Sequence, residues 1–388
     1  MHQFVDTNNM WMVAGVWMLL AAVSAFIAIR VKMPAALVEI VIGMIAGNLI
    51  ALRTNAWIDF VAGFGSILLT FLAGAEIDPA VLRRQLLPST AIGAGSFGAP
   101  FFAAMAFTYF FGHWTLDASK IAGIAMSTTS VAVVYAVMVE SGLAGREFGQ
   151  LILAACFFTD LGTVVALGLL FANYNLWLAA LAAAIVAAVA IVPRFLPRVI
   201  DRTRRYVSEP ALRVLFGVIF LLAALATYAK SEGVLPAYFL GLGCAGLMMA
   251  YPDVKRRLQT MTMTLLAPFY FLKAGTYIEF SAAIGSAGLI AAMFFLKVIA
   301  KIVGVFPLAR FVFRYPSSNA NYLTLMMATG LTFGTISSLY GLTHHYINEA
   351  QYTTLVTVVI LTAVVPTAIA QALFKPSEEP EEMEAEVP

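Results

Sequence analysis

The sequence predicts an all-α polytopic membrane protein of about 13 transmembrane helices, with two inverted six-helix repeats and crossed broken helices. Three observations lead to this fold class. Of the 388 residues, 61% are hydrophobic and 11% are charged, whereas soluble domains are roughly 45–50% apolar and about 25% charged. Apolar stretches long enough to cross a bilayer recur along almost the whole chain. Basic residues concentrate in alternate connections between those stretches.

The predicted spans follow one another with short connections, and each offers about 20 apolar residues. They cover residues 11–30, 34–52, 58–76, 88–112, 118–142, 146–171, 174–193, 210–229, 233–250, 259–276, 281–309, 318–341 and 351–373.

Orientation follows from the basic residues, because cytoplasmic loops carry an excess of Lys and Arg. Alternate connections hold most of the 23 basic residues, and the opposite ones hold only Arg53, Lys120 and Lys230. The bias predicts an odd number of spans with the N-terminus outside and the C-terminus inside.

The chain divides into a short extracytoplasmic N-terminus (1–10), a single membrane transporter domain (11–373) and an acidic disordered cytoplasmic tail (374–388). The longest basic connection follows the seventh span. We therefore expect repeat one at 11–171, a linker helix at 174–193 and repeat two at 210–373.

Asp160 lies near the middle of the sixth span. A carboxylate at this depth is costly, so an intramembrane acid is by default a site for protons or cations. A hard monovalent cation needs oxygen ligands, which Asp160, Thr159, Thr129 and Ser130 could supply. The alternative is a structural ion pair between Asp160 and a buried lysine.

Two polar phrases occupy corresponding places in the two halves. The fifth span contains residues 127–130 (Ser-Thr-Thr-Ser), and the twelfth contains residues 329–335 (Thr-Gly-Leu-Thr-Phe-Gly-Thr). Such phrases favour locally unwound helices, with Thr128, Gly330, Thr332 and Gly334 as the break residues. Tight helix packing by small residues is the alternative.

Three lysines fall within spans. Lys297 and Lys301 are four residues apart and share one helical face, so either could be the basic partner of Asp160, and a buried lysine can release a proton. Depth favours Lys297, and Lys301 could instead extend to the cytoplasmic interface. Lys273 either shapes an outer cavity or reaches the outer interface.

Acidic residues near the cytoplasmic side are Glu39 in the second span and Glu76 and Asp78 at the end of the third. A negative inner vestibule would concentrate cations. Helix capping or pairing with Arg83 or Arg84 is the other interpretation.

Several function classes lose support. Cys156 and Cys244 fall in apolar stretches and indicate core residues rather than a disulfide or metal site. The glycine patterns at 241–246 and 93–98 lie inside spans, without the strand that a dinucleotide site requires. Glycines 43 and 47 are typical of close helix packing. No enzyme site, cofactor or nucleic-acid partner is expected.

These phrases together resemble the bacterial monovalent cation:proton antiporters of the Kef and Nap type, over nearly the whole chain. The resemblance rests on residues 33–47, on the 69–78 phrase Leu-Thr-Phe-Leu-Ala-Gly-Ala-Glu-Ile-Asp, on Thr128–Val131, on Phe158-Thr159-Asp160, on residues 268–275 and on residues 301–306.

The resemblance implies thirteen spans, a dimerisation domain, and a core domain that moves against it to give alternating access. It implies Asp160 as the carboxylate that binds cation or proton, and Lys301 rather than Lys297 as its basic partner. A homodimer in the lipid of a bacterial inner membrane, serving pH homeostasis, is also implied.

Three departures from the family pattern are present. Thr159 stands where sodium-type members carry an acid and Kef-type members a glutamine. Residues 329–331 read Thr-Gly-Leu in place of the common Arg-Gly-Glu. No nucleotide-binding regulatory domain is expected after the membrane part.

The predicted function is antiport, with a monovalent cation at Asp160 competing with a proton. A single acid favours electroneutral exchange, and Na⁺ is favoured with K⁺ as the second candidate. The main alternative is a sodium-coupled symporter of an organic anion, for which Lys273 could serve as the anion partner. A channel is a further alternative, against which the inverted halves and the mid-span acid argue.

Overall fold

A computed structural model describes residues 9–31, 33, 35–50, 52, 54–75, 84–143, 146–171, 176–203, 206, 208–229 and 233–376. The predicted Glu76 and Asp78 lie outside these ranges, as do most of the N-terminal segment and of the acidic tail.

The described part is helical and carries no strand. Two π-helical turns, Thr262–Leu266 and Leu308–Val312, extend neighbouring helices. The α-helices are α1 (Met10–Val31), α2 (Ala35–Leu49), α3 (Ala56–Ala75), α4 (Leu86–Phe110), α5 (Leu116–Ser127), α6 (Val131–Glu140), α7 (Glu147–Leu170), α8 (Leu176–Thr203), α9 (Pro210–Tyr228), α10 (Val234–Ala250), α11 (Pro252–Met261), α12 (Ala267–Thr276), α13 (Phe280–Gly285), α14 (Ala287–Pro307), α15 (Ser317–Met327), α16 (Thr332–Thr343) and α17 (Glu349–Leu373).

Helices occupy the positions of the predicted spans. Within the described ranges, nine helical segments are long and apolar enough to cross a membrane, by length and composition. Their exposed surface is rich in large apolar side chains, as lipid contact requires. The all-helical membrane class is therefore confirmed.

Two predicted boundaries were wrong. The linker helix, predicted at 174–193, continues as α8 to Thr203. Val192, Leu196 and Ile200 repeat every four residues and stay buried, while the intervening arginines face outward, so the helix continues past the apolar run. The span predicted at 281–309 starts with the short α13, which ends before Ser286 and precedes α14.

The helices form two groups by their packing. The broken-helix group comprises α4–α7 and α14–α17, in which α4 packs against α5, α7 and α14, and α16 packs against α5 and α17. The flanking group comprises α1–α3 and α8–α12, in which α2 packs against α12, α3 against α10, and α8 against α9. The groups meet where α7 packs against α10.

Glycines allow the closest contacts in the flanking group. A Cβ at Gly43 of α2 would lie against the carbonyl oxygen of Leu272, and one at Gly275 of α12 against that of Ile40. Gly74 of α3 and Gly241 of α10 form the same kind of contact. These glycines therefore serve backbone approach, as predicted for Gly43, and the 241–246 pattern is helix rather than a nucleotide loop.

Candidate functional site

Two helix breaks cross at the centre of the broken-helix group. Residues 128–130 separate α5 from α6, and residues 328–331 separate α15 from α16. The amide N–H of Ser130 donates to the carbonyl of Thr329 at 3.0 Å, and the Thr129 hydroxyl donates to the carbonyl of Met327 at 2.8 Å. The breaks are thus bonded directly to each other.

Both breaks fall within the predicted polar phrases. Thr128 and Gly330 lie in the breaks, whereas Thr332 and Gly334 were placed wrongly, since both belong to the first turn of α16. Four half-helix ends meet here. α5 and α15 end with carbonyl groups that have no partner within their own helix, and α6 and α16 begin with amides that likewise lack an intrahelical partner. The crossing therefore offers partial charges of both signs in the middle of the broken-helix group.

Lys301 of α14 holds the carbonyl end of α5. Its side chain is fully buried, and its Nζ donates to the Ser96 hydroxyl at 2.7 Å, the Ser127 carbonyl at 2.7 Å and the Thr129 hydroxyl at 3.0 Å. An ammonium group has three donors, so these oxygens satisfy it completely. The positive charge also complements the negative end of the helix dipole.

The structural ion pair considered as the alternative for Asp160 is not formed in the part of the chain that the structure describes. Among the ion pairs of the described residues, none joins Asp160 to Lys301 or Lys297. The reason for Lys301 is that neutral oxygens from α4, α5 and the first break already take all of its donors. Asp160 and Lys301 still interact electrostatically across the site.

Lys297 occupies the other side of the crossing. Its Nζ donates to the Thr362 hydroxyl of α17 at 3.2 Å. A Cβ at Gly330 would collide with this Nζ and would lie 3.1 Å from the Thr128 hydroxyl oxygen. The missing side chain at Gly330 therefore makes room for the Lys297 ammonium beside the second break.

Asp160 lies in the middle of α7 and is 2% exposed. Within the described part of the chain, its Oδ1 is buried and has no hydrogen-bond partner. Leaving a buried polar group unsatisfied costs about 1–3 kcal/mol, and more when the group is charged. A proton or a cation bound to this oxygen would therefore remove an energetic cost.

An aromatic cluster separates this region from the flanking group. Tyr238 of α10 stacks on Phe157 at a centroid distance of 5.8 Å and meets Phe333 of α16 edge-on at 6.1 Å. The Tyr238 hydroxyl donates to the Phe157 carbonyl at 3.3 Å. Phe157 is one turn from Asp160 on α7, so the cluster packs α10 against the helix that carries the acid.

The remaining predicted ligands have protein partners. The Thr159 hydroxyl donates to the Ala155 carbonyl at 3.1 Å, and the Ser130 hydroxyl accepts from the Val133 N–H at 3.4 Å. Both residues are buried close to Asp160 or to the first break.

Two predicted peripheral residues have other environments. Glu39 is buried on α2, 5% exposed. Lys273 forms a 2.7 Å ion pair with Asp59 of α3, which neither sequence interpretation of Lys273 included. Both partners lie in the flanking group, so the pair ties α12 to α3.

Three side chains of the site were missed, Ser96, Thr362 and Tyr238, and so was Asp59, the partner of Lys273 in the flanking group. Ser96 and Thr362 are isolated hydroxyls in apolar spans, and Asp59 is an acid in the first turn of its span, which are weak signals. Tyr238 is buried in an apolar helix and gives no sequence signal of contact with α7.

Open cavities lie at opposite ends of α2 and α17. One of about 710 Å³ is lined by the end of α1, the start of α2, α6 and the last turns of α17. One of about 580 Å³ is lined by the end of α2, the end of α12 and the start of α17, with Glu279 and Glu349 at its edge. Asp160 lines neither of these two cavities.

Comparison with known proteins places these features in context. The family described as sodium/hydrogen exchanger, transmembrane, matches residues 17–375. The sodium/proton antiporter of Enterococcus hirae is 23% identical over 377 residues, covering 91% of this chain and 95% of that protein. The ammonium/proton antiporter subunit AmhT of Alkalihalophilus pseudofirmus is 27% identical over 307 residues, covering 75% and 76%.

The fold is also similar to a solved structure. The sodium proton antiporter MjNhaP1 from Methanocaldococcus jannaschii matches with a TM-score of 0.66 and 15% identity, over 92% of this chain and 94% of that one.

Proposed function

Because the chain belongs to the sodium/hydrogen exchanger family, we propose that it is a secondary active antiporter that exchanges a monovalent cation for a proton by alternating access. The observation that carries the proposal is the Asp160 carboxylate, buried at mid-span with an unpartnered oxygen near two crossed helix breaks. An oxygen in this position gains free energy from either a proton or a cation.

Competition for Asp160 couples the two flows. When Asp160 has bound a proton or a cation, its carboxylate carries no net charge. In that state it can pass through the water-free barrier between the two cavities. Bare, it would take an uncompensated charge through low dielectric, which costs several kcal/mol. Thr159, Thr129 and Ser130 supply hydroxyl oxygens with lone pairs that can accept a cation. The Thr159 and Thr129 hydroxyls can do so while their protons stay donated to carbonyls.

Lys301 acts as the fixed positive group of the site. It neutralises the carbonyl end of α5 and holds the first break through Thr129. We assign it as the basic partner of Asp160 through space rather than through an ion pair. Lys297 plays the corresponding part beside Gly330.

Alternating access would move the broken-helix group against the flanking group. The two cavities at opposite ends of α2 and α17 each adjoin both groups. The aromatic cluster around Tyr238 forms part of the barrier between them. Closing one cavity while opening the other would expose Asp160 to one side at a time.

Two inverted repeats account for the glycine contacts. Each span of the first repeat corresponds to the span seven places later in the chain, so that α2 corresponds to α10 and α3 to α12. The contacting glycines form two pairs, Gly43 with Gly275 and Gly74 with Gly241. In both pairs, each glycine faces the carbonyl group of the residue three positions before the other glycine. The contact between α2 and α12 is therefore repeated in the contact between α10 and α3. The same correspondence relates α4 to α14, whose Gly95 and Gly304 face each other's carbonyls. Thirteen spans, with α8 as the linker, are consistent with this relation.

Exchange is proposed to be electroneutral, with Na⁺ favoured over K⁺. Thr159 takes the position of a second acid, and its hydroxyl bonds to its own helix. One carboxylate exchanges one cation for one proton. The Kef or Nap subtype is proposed from the phrases that carry the resemblance taken together, with Thr159 as a departure from both patterns.

The protein is an integral membrane protein, and we place it in a bacterial inner membrane with the N-terminus outside. The exposed arginines Arg194, Arg198 and Arg202 on the last turns of α8 support a cytoplasmic position for that end. A homodimer is proposed from the resemblance, and lipid would cover the remaining apolar surface.

The symporter alternative is not supported. The family and the named relatives are antiporters. In addition, Lys273, the proposed anion partner, already pairs with Asp59.

The test is exchange in proteoliposomes. A proton gradient is imposed, and its collapse is followed on addition of Na⁺, K⁺, Li⁺ or NH₄⁺, the last because one relative is named an ammonium/proton antiporter. The proposal predicts cation-specific collapse that Asp160→Asn abolishes. Asp59→Asn is the control, because this acid belongs to the flanking group and should leave exchange intact.

Two outcomes would contradict the proposal. Collapse that persists in Asp160→Asn would exclude this acid as the shared site. Exchange driven by an imposed membrane potential in both polarities would exclude the electroneutral form.

A further inference from the structure

Two sulfur atoms meet beside the crossing. Cys156 Sγ on α7 lies 3.7 Å from Met327 Sδ on α15, and both residues are fully buried. Met327 is the last residue of α15, and its carbonyl accepts the Thr129 hydroxyl. Cys156 precedes Asp160 by one helical turn, so their side chains share a face of α7. The sulfur pair therefore adjoins the proposed cation site.

Buried cysteine and methionine commonly serve as apolar filler, and the chain contains a case for comparison. Cys244 of α10 is equally buried and free, and within the described residues it has no hydrogen bond to a second sulfur. Cys156 differs in facing a thioether. It also interacts electrostatically with Asp160, whose Oδ1 has no partner, and with Lys301.

We propose that Cys156 and Met327 form a binding site for a soft monovalent cation of the copper group, adjacent to the oxygen site at Asp160. Thiolate and thioether sulfurs select such ions, whereas oxygen ligands select hard cations. The chain would thus hold two sites of opposite ligand preference within about one helical turn.

The sulfur separation fits one shared ion. Two sulfurs 3.7 Å apart can both contact one ion, because a metal–sulfur bond is about 2.3 Å long in zinc sites. The ion would take the place of the thiol hydrogen that now points toward Met327. The reaction is Cys–SH + Ag⁺ → Cys–S–Ag + H⁺. The S–H bond breaks, its electron pair forms the sulfur–metal bond, and the proton leaves to solvent without any change of oxidation state.

The ion reaches the pair through the cation pathway to Asp160, and this route rests on the proposed function. Once bound, it fixes α7 to the end of α15, so it should inhibit exchange.

Ag⁺ is the probe, added to purified protein in chloride-free buffer. Binding and proton release are measured by titration calorimetry in buffers of different ionisation heat. We expect one tight site that releases about one proton in the unmodified protein and in Cys244→Ser. Cys156→Ser should lose the site, and Met327→Leu should weaken it about 10–100-fold.

The same variants are then tested for inhibition of exchange in proteoliposomes. Ag⁺ should inhibit the unmodified protein and Cys244→Ser, while Cys156→Ser should resist. Equal binding by Cys156→Ser, loss of binding in Cys244→Ser, or an unchanged affinity in Met327→Leu would overturn the proposal. Met327→Leu retains the thiol and nearly the same volume, so it decides the matter even if Cys156→Ser does not fold.

The binding measurement separates this inference from the proposed function. It uses detergent-solubilised protein and needs no transport. Normal sodium exchange without Ag⁺ binding would refute the sulfur site alone, whereas Ag⁺ binding without exchange by any cation would refute antiport alone.

Discussion

The contact between α4 and α14 gives a sharp test of how the site is built. A Cβ at Gly95 would run into the carbonyl oxygen of Gly304 and come within 2.9 Å of Leu308 Cδ1. Backbone cannot yield as a flexible side chain does, so the two helices must separate. The hydroxyl of Ser96, the next residue, accepts a hydrogen bond from Lys301 Nζ at 2.7 Å. Separation would therefore also disturb the crossing.

Gly95→Ala and Gly98→Ala form a matched pair on one helix. A Cβ at Gly98 meets nothing within 4 Å. Replacing glycine by alanine stabilises a helix by about 1 kcal/mol at either position. This contribution is the same in both variants and cancels when their stabilities are compared. The difference between the two variants is then the overpacking cost, about 1–3 kcal/mol. Gly95→Ala should melt at a lower temperature than Gly98→Ala and exchange more slowly.

The assay is thermal unfolding of detergent-purified protein, followed by the fraction that remains monodisperse on size exclusion. Gly304→Ala should reproduce the effect of Gly95→Ala. The double variant should cost less than the sum, because one separation relieves both clashes. Equal melting of Gly95→Ala and Gly98→Ala would refute this account of the contact.

Further predictions concern the charges and hydroxyls of the crossing. Lys301→Met removes three hydrogen bonds and leaves the buried Ser127 carbonyl without its donor, whereas Lys297→Met removes one hydrogen bond. Lys301→Met should therefore slow exchange more than Lys297→Met. An equal loss of exchange rate in both variants would contradict the assignment of Lys301 as the basic partner of Asp160. Thr129→Val removes one of the two hydrogen bonds that join the crossed breaks, together with one acceptor of Lys301. It should destabilise the protein by about 1–3 kcal/mol and lower its melting temperature in the same assay, whereas Thr343→Val, at an exposed helix end, should have little effect. Because protons and cations compete for Asp160, lowering the pH by one unit should raise the apparent KM for the cation about tenfold in the acid range; a KM independent of pH there would argue for separate sites.

The sequence predicted the elements whose signals are local. Hydropathy located the spans, and the cost of a buried acid singled out Asp160. Hydroxyls and glycines in apolar surroundings marked both helix breaks, although the second was predicted to extend into the first turn of α16. Such features depend only on neighbouring residues and on the membrane as solvent.

Contacts between distant residues were not predictable in the same way. Lys301 was expected to face Asp160, but its partners are Ser96 and Ser127, which are far away in the sequence. Nothing in a lone serine shows that it will face an ammonium. The pairing of Gly95 with Gly304 likewise depends on how two whole helices cross.

Helix ends near the interface were the other source of error. The arginines at the end of α8 resemble a loop by composition, yet they occupy one exposed face while the apolar positions stay buried. The periodicity, rather than the mean hydropathy, carried the correct information.

The central claim is that one carboxylate is shared by the cation and the proton. The most direct measurement is the number of protons released when Na⁺ binds to purified protein in weakly buffered detergent solution, compared with Asp160→Asn. The account predicts release of about one proton per bound cation at a pH where Asp160 is protonated, and neither binding nor release in the variant. Cation binding without proton release, or release that persists in Asp160→Asn, would contradict it.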